Sequence, residues 1–281
     1  MAPIALVTGT STGIGLSTCA LLAEAGCTVV ATMRNPRKAE ALRDRVPGIE
    51  LRQLDVLDEG SVNVCIDDVL EQHGRIDVVV NNAGAGYLGA CEDTPLEDVQ
   101  RVLDLNFLGV WRVTQAVLPT MRAQGAGRII TISSVGGLIG QPFNDAYCAA
   151  KFAVEGFMES LAPVVLRLGV HVSLVEPGPV NTEFVQAVTA DLGARAEPVS
   201  PPYQAMMAAY REATEKAFAT RGQTADEVAR VVVEAATAAT PHFRYLTSDA
   251  IRSVVATKYV DPSGDAVVAL SGSRLPAPAP R

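Results

Sequence analysis

The run Thr8-Gly9-Thr10-Ser11-Thr12-Gly13-Ile14-Gly15 constrains this chain more than any other stretch. A short apolar segment, residues 3–8, precedes it, and a helix-compatible segment, residues 16–25, follows and ends at Gly26. Strand, glycine turn and helix in that order put the unpaired N–H groups of a helix start beside a backbone that can turn tightly. Such a helix end attracts an anion, and in a βαβ unit the anion is the pyrophosphate of a dinucleotide. The spacing G-x-x-x-G-x-G departs from the commoner G-x-G-x-x-G, but the physics is the same. Gly9, Ser11, Thr12, Gly13, Ile14 and Gly15 are therefore the expected phosphate cradle.

The pattern then repeats. Short apolar runs predict strands over 27–32, 49–54, 76–80, 128–133 and 171–175, and helical spacing predicts helices over 36–46, 58–73, 95–122 and 146–168. Strands alternating with helices imply an α/β fold, a doubly wound parallel sheet of the Rossmann type with helices on both faces. The 281 residues lie within reach of one such domain. The expected layout is a single dinucleotide-binding domain over 1–270, a flap at about 183–220, and a disordered Pro/Ala/Gly/Ser-rich tail over 271–281.

Composition removes several function classes. The formal charge is −8, which disfavours nucleic acid as a partner. No apolar run reaches membrane-span length, and no basic-then-apolar leader precedes the first strand, so no signal peptide is expected. The five cysteines contain no C-x-x-C pair, a pattern that suits reduced thiols in a cytoplasmic protein. The three histidines lack metal-ligand spacing, so no metal site is expected.

About 20 positions past the glycines, a dinucleotide fold that prefers NAD places an acidic residue on the adenosine ribose. Here that region reads Thr32-Met33-Arg34-Asn35-Pro36-Arg37-Lys38, with bases and no carboxylate. Arg34, facing Ser11 or Thr12, suits a 2′-phosphate, so NADP is expected ahead of NAD. Asp55, with Val56 beside it at the end of the third strand, is the expected partner of the adenine amine.

The chemistry is expected between Ser134 and Lys151. Tyr147 and Lys151 are four apart in a helix-compatible run and so share one helix face. A positive charge beside a phenol favours phenolate and lowers its pKa, which makes Tyr147 a usable general acid and base. Ser134 closes the fifth strand, where its hydroxyl can hold a carbonyl or alcohol oxygen beside the phenol. Such a Tyr–Lys pair is also common on helix surfaces, and alone it decides nothing.

Thr8-Gly9 with Gly13 and Gly15, Asn81-Asn82-Ala83-Gly84, Ser134, Tyr147-x-x-x-Lys151 and Pro177-Gly178 occur in one order at fitting distances. Together they resemble the short-chain dehydrogenase/reductase family over roughly residues 3–240. The resemblance implies a tetrad of Asn106, Ser134, Tyr147 and Lys151, with Asn106 holding a water against the lysine. It also adds Asn82, Ala83, Gly84, Pro177, Gly178, Val180 and Thr182, with Tyr147 and Lys151, to the residues expected at the cofactor. The family's helices near 96–122 and 146–168 commonly form subunit contacts, so a homodimer or homotetramer is expected.

Within the family, the stretch from Ser134 to Gly156, Val175–Thr182, Arg244-Tyr-Leu-Thr and Asp261-Pro-Ser-Gly264 are similar to the estradiol-type 17β-hydroxysteroid dehydrogenases and related retinol dehydrogenases. That resemblance implies hydride exchange between the cofactor and a bulky apolar secondary alcohol or ketone, most simply a steroid at its 17-position. The flap departs from the pattern, because no histidine lies between His171 and His242 to bind a far phenol. Leu138, Phe143, Phe184, Met206, Met207 and Tyr210, together with Ser134 and Tyr147, are the expected substrate contacts. Methionine and aromatic walls adapt to a large flat ligand.

Overall fold

The computed structural model describes residues 2–194, 199–260 and 263–275. Strands β1 (Ile4–Thr8), β2 (Thr28–Met33), β3 (Glu50–Gln53), β4 (Val78–Asn81), β5 (Gly127–Ile132), β6 (Val170–Glu176) and β7 (Arg244–Leu246) form one sheet in the order β3-β2-β1-β4-β5-β6-β7. Every pairing is parallel. The order reverses between β1 and β4, and a parallel sheet opens a crevice past its strand ends at such a point.

Strand alternation divides the core. Leu6, Val79 and Ile129 pack on one face, while their neighbours Val7, Val80 and Ile130 pack on the other, all nearly solvent-free. Helices α3 (Glu59–His73), α5 (Gly109–Gln124) and α6 (Asp145–Leu166) cover the first face. Helices α1 (Gly13–Glu24), α2 (Glu40–Arg45) and α9 (Ala225–Thr237) cover the second. The ends of these helices follow from side-chain chemistry. Asp58 accepts from the Ser61 N–H at the start of α3 (3.2 Å), and Gly74, at φ +70, ends it. Thr224 and Glu227 bond each other's backbone N–H at the start of α9.

The sheet and its flanking helices follow the expected pattern, with four differences. The helix read over 36–46 is split: Asn35 caps a single turn over Pro36–Lys38, and α2 begins only at Glu40. The helix read over 95–122 is α4 (Leu96–Leu103) and α5 joined by a π-helical stretch, Asp104–Leu108. One wider turn there carries Asn106 into the interior, 1% exposed; such turns are frequent at functional sites. A seventh strand, β7, extends the sheet beyond the six read from sequence, its three residues being too few to show a period. Finally, α7 (Glu183–Ala194) and α8 (Pro201–Arg221) form the flap, and α10 (Asp249–Val260) and α11 (Asp265–Gly272) follow β7. Ser271 and Gly272, expected in the tail, belong to α11, while 276–281 lie outside the described residues, as do Asp261 and Pro262. Among the described residues no helix is long and apolar enough to cross a membrane.

Candidate active site

The crevice between β1 and β4 is closed by hydrogen bonds. The Thr8 hydroxyl accepts from the N–H groups of Asn82 and Ala83, both at 3.0 Å. The Asn82 side-chain amide donates to the carbonyls of Thr8 (2.8 Å) and Gly9 (2.9 Å). Gly9 takes φ +69, and a methyl group there would stand 2.8 Å from the Ala83 Cα. A methyl at Gly15 would drive into the Gly9 carbonyl. The glycine turn and the β4 loop can pack this closely only because those Cβ atoms are missing. Thr12 precedes α1 in extended conformation and makes no side-chain cap bond. The first-turn N–H groups of α1 thus keep the capacity to bind an anion.

The remaining cofactor candidates fall into two groups. Thr182 reaches the turn from beyond β6: a methyl at Gly13 would lie 3.3 Å from its Cβ and 3.8 Å from the Glu183 carboxylate. That carboxylate beside an anion cradle is a feature the motif reading did not reveal. Pro177 accepts from the Val135 N–H at 2.8 Å, Gly178 packs under Ile251, and Val180 is buried. At the adenosine end, Arg34 stands exposed just past β2. Asp55 is half-buried, and its carboxylate accepts from the Leu57 N–H at 3.1 Å. Val56 is wedged against Gly109 of α5, its carbonyl accepting from Arg112 at 3.1 Å.

Past β5 the chemical groups converge. The strand ends at Ile132, two residues before Ser134, which instead starts a short 3-10 turn and accepts from the Gly136 N–H at 3.0 Å. Tyr147 and Lys151 lie one turn apart in α6, with the ammonium 5.9 Å from the centre of the phenol ring. Lys151 is 6% exposed and donates to the Ile132 carbonyl at 2.9 Å. Asn106 faces the same space. Its side chain donates to the carbonyls of Ala85 (2.9 Å) and Val102 (3.0 Å) and accepts from the Ala85 N–H (3.2 Å). A methyl at Gly84 would stand 2.7 Å from the Asn106 amide oxygen and 3.8 Å from the Lys151 nitrogen. The side chain of Asn106 thus clamps the Gly84–Ala85 loop beside the lysine.

The expectation that the lysine lowers the tyrosine pKa does not hold for these protein groups alone. Burial pushes Tyr147 up to about 12, a rise that its hydrogen bond with Ser134 reduces. Burial likewise pushes Lys151 down to about 8, and the nearby Glu155 carboxylate works against that fall. Both shifts disfavour the charged form, because both groups have left water.

The expected substrate residues separate. Phe184, on α7, stands edge-on to Tyr147 with ring centres 6.0 Å apart. Phe143 and Met206 line an open cleft of about 260 Å³ with Ala90, Tyr203 and Leu275. Met207 and Tyr210 pack behind Phe143, and the Tyr210 hydroxyl accepts from Asn144 at 2.9 Å. Phe143 holds φ +61, a left-handed conformation that is strained for an aromatic residue. Leu138 is buried apart from them, among Val135, Ile139, Ile251 and Val255.

The fold and these motifs define a nucleotide-dependent oxidoreductase, and comparison with known proteins gives its class. The short chain dehydrogenase family model matches residues 3–193, and the chain belongs to that family. It is 40% identical to human (Homo sapiens) 17-beta-hydroxysteroid dehydrogenase type 1 over 93% of this chain and 82% of that one. It is 38% identical to retinol dehydrogenase 8 of Bos taurus over 95% and 88%. Among solved structures, a short-chain dehydrogenase from Streptomyces avermitilis superposes with TM-score 0.80 at 28% identity, covering 97% of this chain and 98% of that one. A metagenomic short-chain oxidoreductase in complex with NADP superposes with TM-score 0.67 at 29% identity, covering 87% and 96%.

The depressed lysine pKa has a measurable consequence. An unfolded lysine binds its proton up to about 10.4, whereas folded Lys151 releases it near 8. Between those values the unfolded state holds more protons, so this group raises stability as pH rises from about 8 to 10. The raised Tyr147 pKa adds no opposing slope until pH passes the ordinary phenol value near 10. The melting temperature of the wild type relative to Lys151→Met should therefore increase from pH 8 to pH 10. A constant difference across that window would contradict the burial of the ammonium.

Proposed function

We propose that this protein is an NADP(H)-dependent oxidoreductase that interconverts a secondary alcohol and a ketone on a bulky apolar substrate, a steroid at its 17-position. The observation that carries the reading is the meeting of Ser134, Tyr147 and a buried Lys151 past β5, beside the glycine turn locked to the β4 loop. The turn suits a dinucleotide because added Cβ atoms at Gly9, Gly13 and Gly15 would fill it. Gly9, Ser11, Thr12, Gly13, Ile14, Gly15 and Thr182 would hold the pyrophosphate. Asn82, Ala83, Gly84, Pro177, Gly178, Val180 and Lys151 would hold the nicotinamide end, and Arg34, Asp55 and Val56 the adenosine. The metagenomic relative crystallised with NADP supports the cofactor class, and the exposed Arg34 supports the 2′-phosphate form. The dinucleotide, when bound, accepts or supplies the hydride.

The chain's own residues handle the proton and the placement. Ser134 holds the substrate oxygen and stabilises charge that develops on it. Tyr147 takes the hydroxyl proton in the oxidative direction and returns it in reduction. Lys151, whose value near 8 leaves it largely charged at neutral pH, works in favour of the phenol's charged form, against the burial that raises its pKa. Phe184, Phe143, Met206, Met207 and Tyr210 supply the apolar surroundings, and Leu138 supports them from within the α10 packing.

Steroids are preferred here because of the 40% identity to the human 17-beta-hydroxysteroid dehydrogenase. The bovine retinol dehydrogenase supports retinol and retinal as the second reading. Lacking a flap histidine, the site should accept estradiol and also tolerate androgens, since apolar burial contributes roughly 25 cal/mol per Å² without any polar anchor. The test is kcat/KM for estradiol, testosterone, retinol and a small aliphatic alcohol, each with NADP and NAD, in wild type and Arg34→Ala. Steroids should lead by about tenfold or more, and Arg34→Ala should weaken NADP more than NAD by the equivalent of about 1.5–3 kcal/mol. Retinol leading would select the second reading, and equal effects on both cofactors would remove Arg34 from the 2′-phosphate.

The reading includes a homo-oligomer. Phe107, Trp111 and Phe157 form an aromatic cluster across the π-helical turn, α5 and α6, with Trp111 stacked on Phe157 at 4.3 Å. Trp111 is 43% exposed and Leu108 40%, an apolar patch suited to a second copy. Light scattering at micromolar concentration should give a dimer or tetramer, and a monomer would reject it.

A further inference from the structure

Behind Lys151 lies a buried ionic cluster that the proton chemistry above does not use. Glu155 is one turn further along α6 and 5% exposed. Both its oxygens are engaged. The Ser133 hydroxyl donates to Oε1, and the Arg244 guanidinium, from β7, pairs with Oε2. Arg244 also bonds Glu176 at the end of β6 (2.5 Å) and the exposed Glu159 (2.7 Å). Ser133 sits between Ile132, whose carbonyl receives the Lys151 ammonium, and Ser134. Glu176 immediately precedes Pro177, whose carbonyl accepts from the Val135 N–H. The carboxylate of Glu155 is therefore tied to the segment that presents Ile132 and Ser134, to the helix that presents Tyr147 and Lys151, and to the edge strand β7.

We propose that Glu155 is a positioning residue for the Tyr147–Lys151 pair: its carboxylate, clamped between the Ser133 hydroxyl and the Arg244 guanidinium, fixes the charge and the place of the ammonium one helical turn away. The proposal rests on the proton roles assigned above to Tyr147 and Lys151. Its logic is electrostatic. The buried ammonium of Lys151 and the half-buried guanidinium of Arg244 need an anion near them, since an unpaired charge out of water is costly. Glu155 is the anion that acts on both. The other charged groups around it are Glu176 of β6, which burial and Glu155 push up to about 7, Glu159 of α6, and Lys258 of α10, whose ammonium lies over the Phe152 ring at 4.4 Å. Burial pushes Glu155 itself up, opposed by Ser133, Arg244 and Lys151.

A negative charge beside the pair makes loss of its shared proton harder. Removing that charge should make the loss easier, so the pH limbs of both reaction directions move down together. The experiment measures kcat/KM against pH, in oxidation and in reduction, for wild type, Glu155→Gln and Glu159→Gln, with a thermal melt of each. Tyr147→Phe, measured alongside, keeps the two readings apart: full turnover in that variant would refute the underlying proton role, and its loss leaves Glu155 as the only issue. In Glu155→Gln the rising limb of oxidation and the falling limb of reduction should both shift to lower pH by about half a unit or more. In Glu159→Gln, which removes an exposed partner of the same arginine, both limbs should stay in place. If Glu155→Gln does not fold, Glu155→Asp carries the test, because its shorter side chain withdraws the charge from the ammonium and should move the limbs in the same direction. A folded variant at position 155 with a lower melting temperature and unmoved limbs would overturn the proposal and leave Glu155 a structural ion pair.

Discussion

One interaction holds the site together: a lysine ammonium taken almost wholly out of water and given to a strand-end carbonyl. Lys151 donates to Ile132 at 2.9 Å and faces Gly84, Asn106 and the Tyr147 ring. A buried cation is tolerable only where the surrounding backbone and acids are fixed. The structure meets that need from four directions: the end of β5, helix α6, the Asn106 clamp on the Gly84–Ala85 loop, and Arg244 of β7, which holds Glu155.

The topology makes the convergence possible. Because every strand is parallel, the carboxyl ends of β1, β4, β5 and β6 all open on one edge. The reversal of strand order between β1 and β4 leaves room there for the glycine turn and the start of α1. The hydrophobic residues that alternate along each strand carry the stability from both faces, so the edge itself is free to hold polar groups in unusual states. Tyr147 and Lys151 are displaced in opposite directions from their ordinary values, both by burial. Burial makes the titration of both groups sensitive to the charge of whatever binds next to them.

Much of this was legible in the sequence, and the gaps have physical reasons. The strand–glycine–helix opening and the repeated alternation of apolar runs gave the parallel sheet, because period and turn chemistry are local. Tyr147 and Lys151 were legible because four residues make one helical turn. Glu155 continues the same helical spacing and could have been flagged from it, but its meaning lies in Arg244, 89 residues away, on a strand of three residues too short to announce itself. The wide turn around Asn106 also has no local signal: Leu103–Leu108 reads as ordinary helix, and only tertiary packing draws the asparagine inward. In the sequence the substrate lobe is one apolar wall, because composition cannot say which face each residue takes. The structure instead sets Phe184 against Tyr147, Phe143 and Met206 on the cleft, and Leu138 under α10.

The central claim is that the Tyr147 phenol carries the substrate's proton, and the most direct measurement is turnover of Tyr147→Phe beside its affinity for the dinucleotide. The account predicts a folded protein that binds the cofactor as the wild type does while losing well over about tenfold in kcat, a barrier increase above ~1.4 kcal/mol. A variant retaining more than about a tenth of the wild-type rate would contradict it.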